Sequence, residues 1–298
     1  MNSFEEIIRN ASNTVKKPTL VVACPYDNNI LNALSMAQYK KLAKIVIIGD
    51  KEKVDSILVE NNIKFKYETF INIESDLLAI RESYNMILDG KADIIMKGIV
   101  QTKDFMSVLL SEKSFLKRKL LTHVAIYDIH SLNKLIFVSD PSIMINPTVE
   151  QKKIIVDNAI ELLNSLEIKN PKVAIISSTE VPNQNIKSSI DAVELMNVYK
   201  ESNNNFEIYG PLGIDNAISK EAALLKKIDS QVGGNADLLI MPNLDAGNIF
   251  CKGLTYIGNI NSAGIVMGAY NPIILTSRSA SSAEKLNSIA IACMMTKK

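Results

Sequence analysis

The sequence lacks most of the fixed signatures by which enzymes declare their chemistry. Its three cysteines, Cys24, Cys251 and Cys293, are far apart and odd in number, and no CxxC occurs. That excludes a zinc knuckle and a thioredoxin-type redox pair and reads as reduced thiols in an intracellular protein. Only two histidines are present, His123 and His130. His123 heads an apolar run and reads as a structural residue, so a Ser-His-Asp hydrolase is disfavoured. There is no GxxxxGK[ST], no GxGxxG after the first strand, no HExxH and no GxSxG, which removes the usual signatures of nucleotide, zinc-protease and esterase sites. Carboxylates do not cluster as a metal site would require, so no metal is expected. Lys plus Arg number 33 against 32 Asp plus Glu, a net charge of +1, and no run of five like charges occurs. A nucleic-acid platform is excluded on that ground, although a small basic pocket is not. No apolar stretch reaches the roughly 18 residues of a membrane helix. The opening MNSFEEIIRNASNTVKK has no apolar signal-peptide core, so a cytoplasmic protein with no membrane partner is expected. Any chemistry must rest on Ser, Thr, Asn, Arg, Lys and carboxylates in loops.

What the sequence does have is alternation. With 298 residues and 47% hydrophobic content, a prior of roughly 150 residues per domain suggests two domains. Thr19–Ala23, Lys44–Ile48, Ala92–Met96, His123–Tyr127, Leu135–Val138, Lys172–Ile176, Asp237–Met241 and Ile273–Thr276 read as short apolar strands. Between them lie helical patterns over Asn28–Lys41, Lys51–Glu60, Ile73–Leu88, Lys103–Leu110, Pro147–Leu166, Ile190–Glu201, Asn216–Ile228, Ala246–Tyr256 and Ser282–Met295. Continuous apolar strands alternating with helices predict an α/β fold with mostly parallel sheets covered on both faces. A boundary is expected near Ser139-Asp140-Pro141. Ligands of such sheets sit beyond the carboxyl ends of strands, so the loops that follow strands are the ones to inspect.

The last of these loops is the most informative. The strand Ile273–Thr276 delivers Ser277 and Arg278 to the carboxyl edge of a sheet, and Ser279–Ser282 turn into a helix. A helix N-terminus offers unpaired N–H groups to an anion, and a guanidinium fork suits phosphate. The same stretch, Ser281-Ser282-Ala283-Glu284, also reads as a capping box. Three further segments precede helices: SDPSIMINPT from Ser139, GPLGIDNAIS from Gly210 and MPNLDAGNI from Met241. Asn146 with Pro147, Asp215 and Asp245 suit N-cap or first-turn positions. Gly247, just inside a helix, costs roughly 1 kcal/mol against Ala and predicts a close backbone approach. Other residues after strands are either ligand contacts or turns and caps: Lys97 and Gly98, Thr102 as a helix cap, Ser177, Ser178 and Thr179, and Asn243 and Asn248.

ADIIMKG, LLTHVAIYD, SDPSIMINPT, AIISSTE, GPLGIDNAIS, GNADLLIMPNLDAGNI and PIILTSRS occur in this order over most of the chain. Together they resemble the phosphate acetyl/butyryltransferase family, and the GPLxxDNAIS form and short length resemble its butyryl branch. The resemblance implies reversible acyl transfer between coenzyme A and inorganic phosphate through a ternary complex, with these substrates and no separate cofactor. It implies two α/β domains with an interdomain cleft, on an isocitrate/isopropylmalate dehydrogenase-like scaffold. Residues 1–139 plus 269–298 would form the first domain and 140–268 the second. It also implies a homodimer or higher homo-oligomer. By the same resemblance Arg278 binds the phosphoryl group, Ser277 hydrogen-bonds the charge developing on the reacting carbonyl, and Glu284 takes the place of an acidic base for the CoA thiol. The rival readings are an acetyl-specific enzyme, a metal- and nicotinamide-dependent dehydrogenase on the related scaffold, transfer to glycerol phosphate or a carrier protein, and a non-catalytic binding protein. The absence of clustered aspartates disfavours the dehydrogenase.

Overall fold

The computed structural model describes residues 1–200 and 204–296. Among them are eleven strands: β1 (Thr19–Ala23), β2 (Lys44–Gly49), β3 (Thr69–Asn72), β4 (Ile94–Lys97), β5 (Thr122–Ile129), β6 (Lys134–Ser139), β7 (Lys172–Ile176), β8 (Glu207–Leu212), β9 (Leu238–Ile240), β10 (Ser262–Met267) and β11 (Ile273–Ile274). The chain divides into two compact units. One, here the split unit, joins Phe4–Lys119 to the segment from Ala263 onward; the other is Leu120–Ser262 with Met1–Ser3. The divisions fall just before β5 and inside β10, after Ser262. β5 and β6 form an antiparallel hairpin from Val124↔Ser139 to Ile129↔Lys134, and β6 runs parallel to β9. β10 pairs with β11 through Val266↔Ile273.

In the split unit the strand order is β3-β2-β1-β4-β11-β10, parallel except for the β10–β11 pair. Leu20 to Ala23, Ile45 to Ile48 and Ile94 to Met96 are buried along the strand rather than at alternate positions, as expected of parallel strands covered on both faces. The helix Ser282–Met295 packs on the helices Phe4–Ser12 and Asn28–Tyr39, and every one of its residues from Lys285 to Met294 is buried. The helix Phe4–Ser12 lies in the stretch read only as polar. Its buried residues Phe4, Ile7 and Ala11 share one face at helical spacing. A second helical group, Asp76–Leu88 with Thr102–Leu109, lies by β1, β2 and β4.

In the other unit the order is β5-β6-β9-β7-β8. Here several expected helix starts move. The long helix runs Val149–Ser165 and is capped by Thr148 with Gln151 in a full capping box, not by Asn146. Asn243 caps the helix Leu244–Lys252, accepting from the Ala246 N–H at 3.0 Å; Asp245 sits in its first turn. The pattern over Asn216–Ile228 is two helices, Ile214–Ile218 and Lys220–Leu225. Ser219 interrupts it with extended backbone and caps the second helix, while Gly213 occupies the cap position expected of Asp215. Gly247 behaves as its cost implied. A Cβ there would lie 3.0 Å from Pro141 Cα and 3.1 Å from the Asp140 carbonyl oxygen.

Candidate active site

β1, β4 and β11 are parallel neighbours, with Ala23↔Lys97 and Met96↔Ile274 in register. Their carboxyl ends therefore bring Cys24, Lys97-Gly98 and the Ser277-Arg278 turn to one edge of the sheet. The Gly98 N–H donates to Ala23 O and the Ile99 N–H to Cys24 O, both at 2.8 Å. A Cβ on Gly98 would fall 2.0 Å from Cys24 O and 2.3 Å from Ala23 O. Both obstacles are backbone, so only glycine lets this loop close against β1.

Lys97, expected at this edge, is 4% exposed. Its Nζ donates to Gly98 O at 3.0 Å and Val100 O at 3.2 Å, using two of an ammonium's three protons. Burial first, then the charges of Arg278 and Lys285, push its pKa down to about 8. Lys285 is 1% exposed, and its Nζ donates to Ala280 O. Burial lowers its pKa as well, against the opposing pull of Asp27 and Glu284. Neither lysine has a carboxylate within ion-pair distance among the described residues. Lys285 is a site residue that no motif in the sequence singles out. Its signal was a lone cation in the first turn of a helix that continues LNSIAIACMM, which is apolar on nearly every side.

Ser277 and Arg278 are exposed on the turn. Ser277 Oγ lies 2.9 Å from Ser279 Oγ and accepts from the Ser279 N–H at 3.3 Å. The Ala280 N–H donates to Ser277 O at 3.1 Å. Arg278 lines a cavity of about 290 Å³ with Asp76, Leu77, Ile80, Ile99, Val100, Gln101 and Asp104. Ser281 caps the following helix, and both halves of the capping box form: Ser281 N–H to Glu284 Oε2 at 2.7 Å and Glu284 N–H to Ser281 Oγ at 3.2 Å. Glu284 is thus a cap partner at the site's margin. Thr102 is the first helical residue of Thr102–Leu109 and not its cap; Gln101 stands at that position.

The remaining expected residues lie in the other unit, and all but Ser178 have a local partner. Ser177 is buried with its Oγ 2.9 Å from Ser188 Oγ. Ser178 is exposed. Thr179 Oγ1 accepts from the Val181 N–H at 3.2 Å, closing its own turn. Asn243 is the helix cap described above, and Asn248 Nδ2 donates to Pro141 O at 3.2 Å. Asp140 organises this loop, accepting from the N–H groups of His123, Ser142 and Ile143 at 2.7 to 2.9 Å. His123 is buried beside it, as a structural histidine would be. Among the described residues no three His, Cys, Asp or Glu side chains gather as a metal site, and no helix is long and apolar enough to cross a membrane.

The family model described as phosphate acetyl/butaryl transferase matches residues 78–293. The chain belongs to this acyltransferase family. It is 32% identical over 295 residues to the phosphate butyryltransferase of Clostridium beijerinckii, covering 98% of this chain and 97% of that one. It is 30% identical over 293 residues to the phosphate acetyltransferase of Thermotoga maritima, covering 98% and 99%. A branched-chain phosphotransacylase from Enterococcus faecalis V583 matches the fold with a TM-score of 0.84 at 28% identity, over 93% of this chain and 98% of that one. The family match spans Lys97, Arg278 and Lys285 alike.

Proposed function

We propose that this chain is a phosphate acyltransferase that moves a short acyl group, butyryl by preference, between coenzyme A and inorganic phosphate. The observation that carries the reading is the cationic edge: two ammonium groups buried without a carboxylate, beside a guanidinium. A buried charge without a counter-ion is costly. An oxyanion such as phosphate, entering between these groups, relieves that cost.

Arg278 binds the phosphoryl oxygens through its fork. Ser277 donates to the oxyanion that develops as phosphate attacks the thioester carbonyl, and CoA leaves as the thiolate. In reverse, the CoA thiol attacks the acyl phosphate, and Glu284 accepts its proton. A free thiol titrates near pH ~8.5, so an acceptor accelerates this step at neutral pH. Direct transfer in a ternary complex fits the state of the cysteines. Burial pushes Cys24 and Cys293 up to about 12 and Cys251 up to about 11, which leaves no thiolate to form an acyl-enzyme. The butyryl preference is supported by the GPLGIDNAIS segment.

The test is thiol release from acetyl-, propionyl- and butyryl-CoA, with and without phosphate. Phosphate-dependent release is expected, fastest in kcat/KM with butyryl-CoA; no phosphate-dependent release from any of them leaves a binding protein, not an enzyme. Arg278→Ala should lower kcat/KM by about 10²- to 10³-fold, the range for losing one transition-state donor, and raise the KM for phosphate. An unaltered phosphate dependence would take the arginine out of this role.

A further inference from the structure

The loop after β4 holds an amine in an unusual setting. Lys97 Nζ donates to Gly98 O at 3.0 Å and to Val100 O at 3.2 Å. A tetrahedral nitrogen has four positions, and these two bonds together with Cε fill three. The fourth carries the third ammonium proton or, once that proton leaves, the lone pair. Both hydrogen bonds survive the loss, because a neutral amine still has two N–H donors. The amine is therefore held by the loop while its nucleophilic position stays unused, at the same sheet edge as the Ser277-Arg278 turn.

The surroundings favour the neutral form. Arg278 on the turn and Lys285 on the helix Ser282–Met295 are the cations that act on Lys97. Cys24 at the end of β1 stays a neutral thiol, pushed up to about 12 by burial. Asp76 and Asp104 line the cavity that Val100 shares with Arg278, and neither bonds Lys97. Burial is the chief cause that lowers Lys97 to about 8. Half of it is then neutral at that pH, against less than about 1% of an ordinary exposed lysine. Lys285 is the poorer nucleophile, because Asp27 and Glu284 pull to keep its proton.

The product of the acyltransferase reaction is itself an acylating agent, since an acyl phosphate is a mixed anhydride. We propose that Lys97 is a self-modification site, acylated at Nζ by acyl phosphate bound at the Ser277-Arg278 turn when no CoA thiol is there to take the acyl group. The lone pair attacks the acyl carbon and a C–N bond forms. The C–O bond to the phosphate breaks, and its electron pair leaves with inorganic phosphate, which takes up the amine proton. The resulting amide is neutral, so the cationic edge loses one charge and with it part of its hold on phosphate. Acyl phosphate that accumulates without free CoA thus shuts down the site that made it. The inference rests on the acyltransferase reading and adds to it a covalent brake at the same site.

The test is to incubate the wild-type chain with butyryl phosphate in the absence of CoA and map the acylated lysines by mass spectrometry. Lys97 should gain the acyl group at least about 10-fold faster than the exposed Lys40 and Lys169, through its neutral fraction and its proximity to the bound reagent. Added inorganic phosphate should slow labelling of Lys97 and leave Lys40 and Lys169 unaffected. Labelling of Lys97 should level off above pH 8, while that of the exposed lysines keeps climbing. Phosphate-dependent thiol release should fall in step with the fraction of Lys97 acylated. Lys97→Arg keeps a cation that butyryl phosphate does not acylate, so whatever rate it retains should not decline during the incubation. Lys97 labelled no faster than the exposed lysines, or labelled without protection by phosphate, overturns the proposal, as does a decline in Lys97→Arg equal to that of the wild type. The mapping needs no turnover, which keeps the two readings apart. Selective, phosphate-sensitive labelling supports the brake even where no thioester is cleaved. An unmodified Lys97 in a chain that turns over butyryl-CoA overturns the brake and leaves the acyltransferase reading intact.

Discussion

Among the described residues, three lysines are almost wholly withdrawn from water, and the two units treat them differently. In Leu120–Ser262, Lys152 is 2% exposed and donates to Asp191 Oδ2 at 2.8 Å, where Lys187 also donates. Burial would raise the Asp191 carboxyl, but hydrogen bonds from both lysines hold it below its ordinary value. That charge is matched within the fold. In the split unit Lys97 and Lys285 are as deeply buried and find only carbonyl oxygens. The same side chain is a closed structural pair in one place and an open electrostatic demand in the other. Burial alone does not separate the two; the missing counter-charge does.

This contrast can be broken by mutation, beginning with the closed pair. Asp191→Asn leaves Lys152 buried and unmatched. It should destabilise by about 3–5 kcal/mol, the usual cost of stripping one partner from a buried pair. Urea unfolding at neutral pH checks this, and added phosphate should not alter the loss.

The open lysines should respond with the opposite sign. Lys97→Met and Lys285→Met should each keep or raise stability in phosphate-free buffer, because no protein carboxylate is orphaned. Each should lose about 10²-fold in kcat/KM, together with the rise in Tm that phosphate gives the wild type. Lys97 adds a pH signature. Its pKa falls from 10.5 to about 8 on folding, so between these values the unfolded chain holds more protons and stability rises with pH. The advantage of Lys97→Met should be full below pH 8 and fade as the pH climbs towards 10.5. Phosphate needs the charged form, so its KM should rise above pH 8 in the wild type and stay flat in Lys97→Met.

The smallest effect on stability is expected at Glu284. Glutamine also completes a capping box, so Glu284→Gln should change stability by no more than about 0.5 kcal/mol while lowering kcat in the thiol-attack direction. That loss should shrink as pH approaches ~8.5, where the thiol ionises unaided. Unchanged kcat at pH 7 would make Glu284 a cap and nothing more.

Local chemistry was readable from sequence where it is self-contained. The Ser281–Glu284 box, the cost of Gly247 and the delivery of Arg278 by a terminal strand follow from neighbours in the chain. β8 and β10 escaped because Gly210-Pro211 and Gly264 interrupt them, and turn-forming residues look alike whether a strand passes through or stops. The caps at Thr148 and Asn243 displaced Asn146 and Asp245 because several side chains in each loop could cap, and tertiary packing selects one. Lys285 was invisible for another reason. Nothing local says that a lysine will be buried without a carboxylate, since that is a statement about distant elements.

The two-residue strand β11 sits between β4 and β10, and the helix after it fills the space beside Phe4–Ser12. Leu120–Ser262 is by contrast almost an unbroken stretch. On a ribosome, that stretch can collapse as soon as it has emerged, whereas the split unit must wait for the segment from Ala263 onward before its sheet can close. Arg278 and Lys285 ride on that segment. A prematurely terminated chain would therefore carry Lys97 and Gly98 on an unfinished sheet, with an uncovered strand edge inviting aggregation and no anion pocket at all.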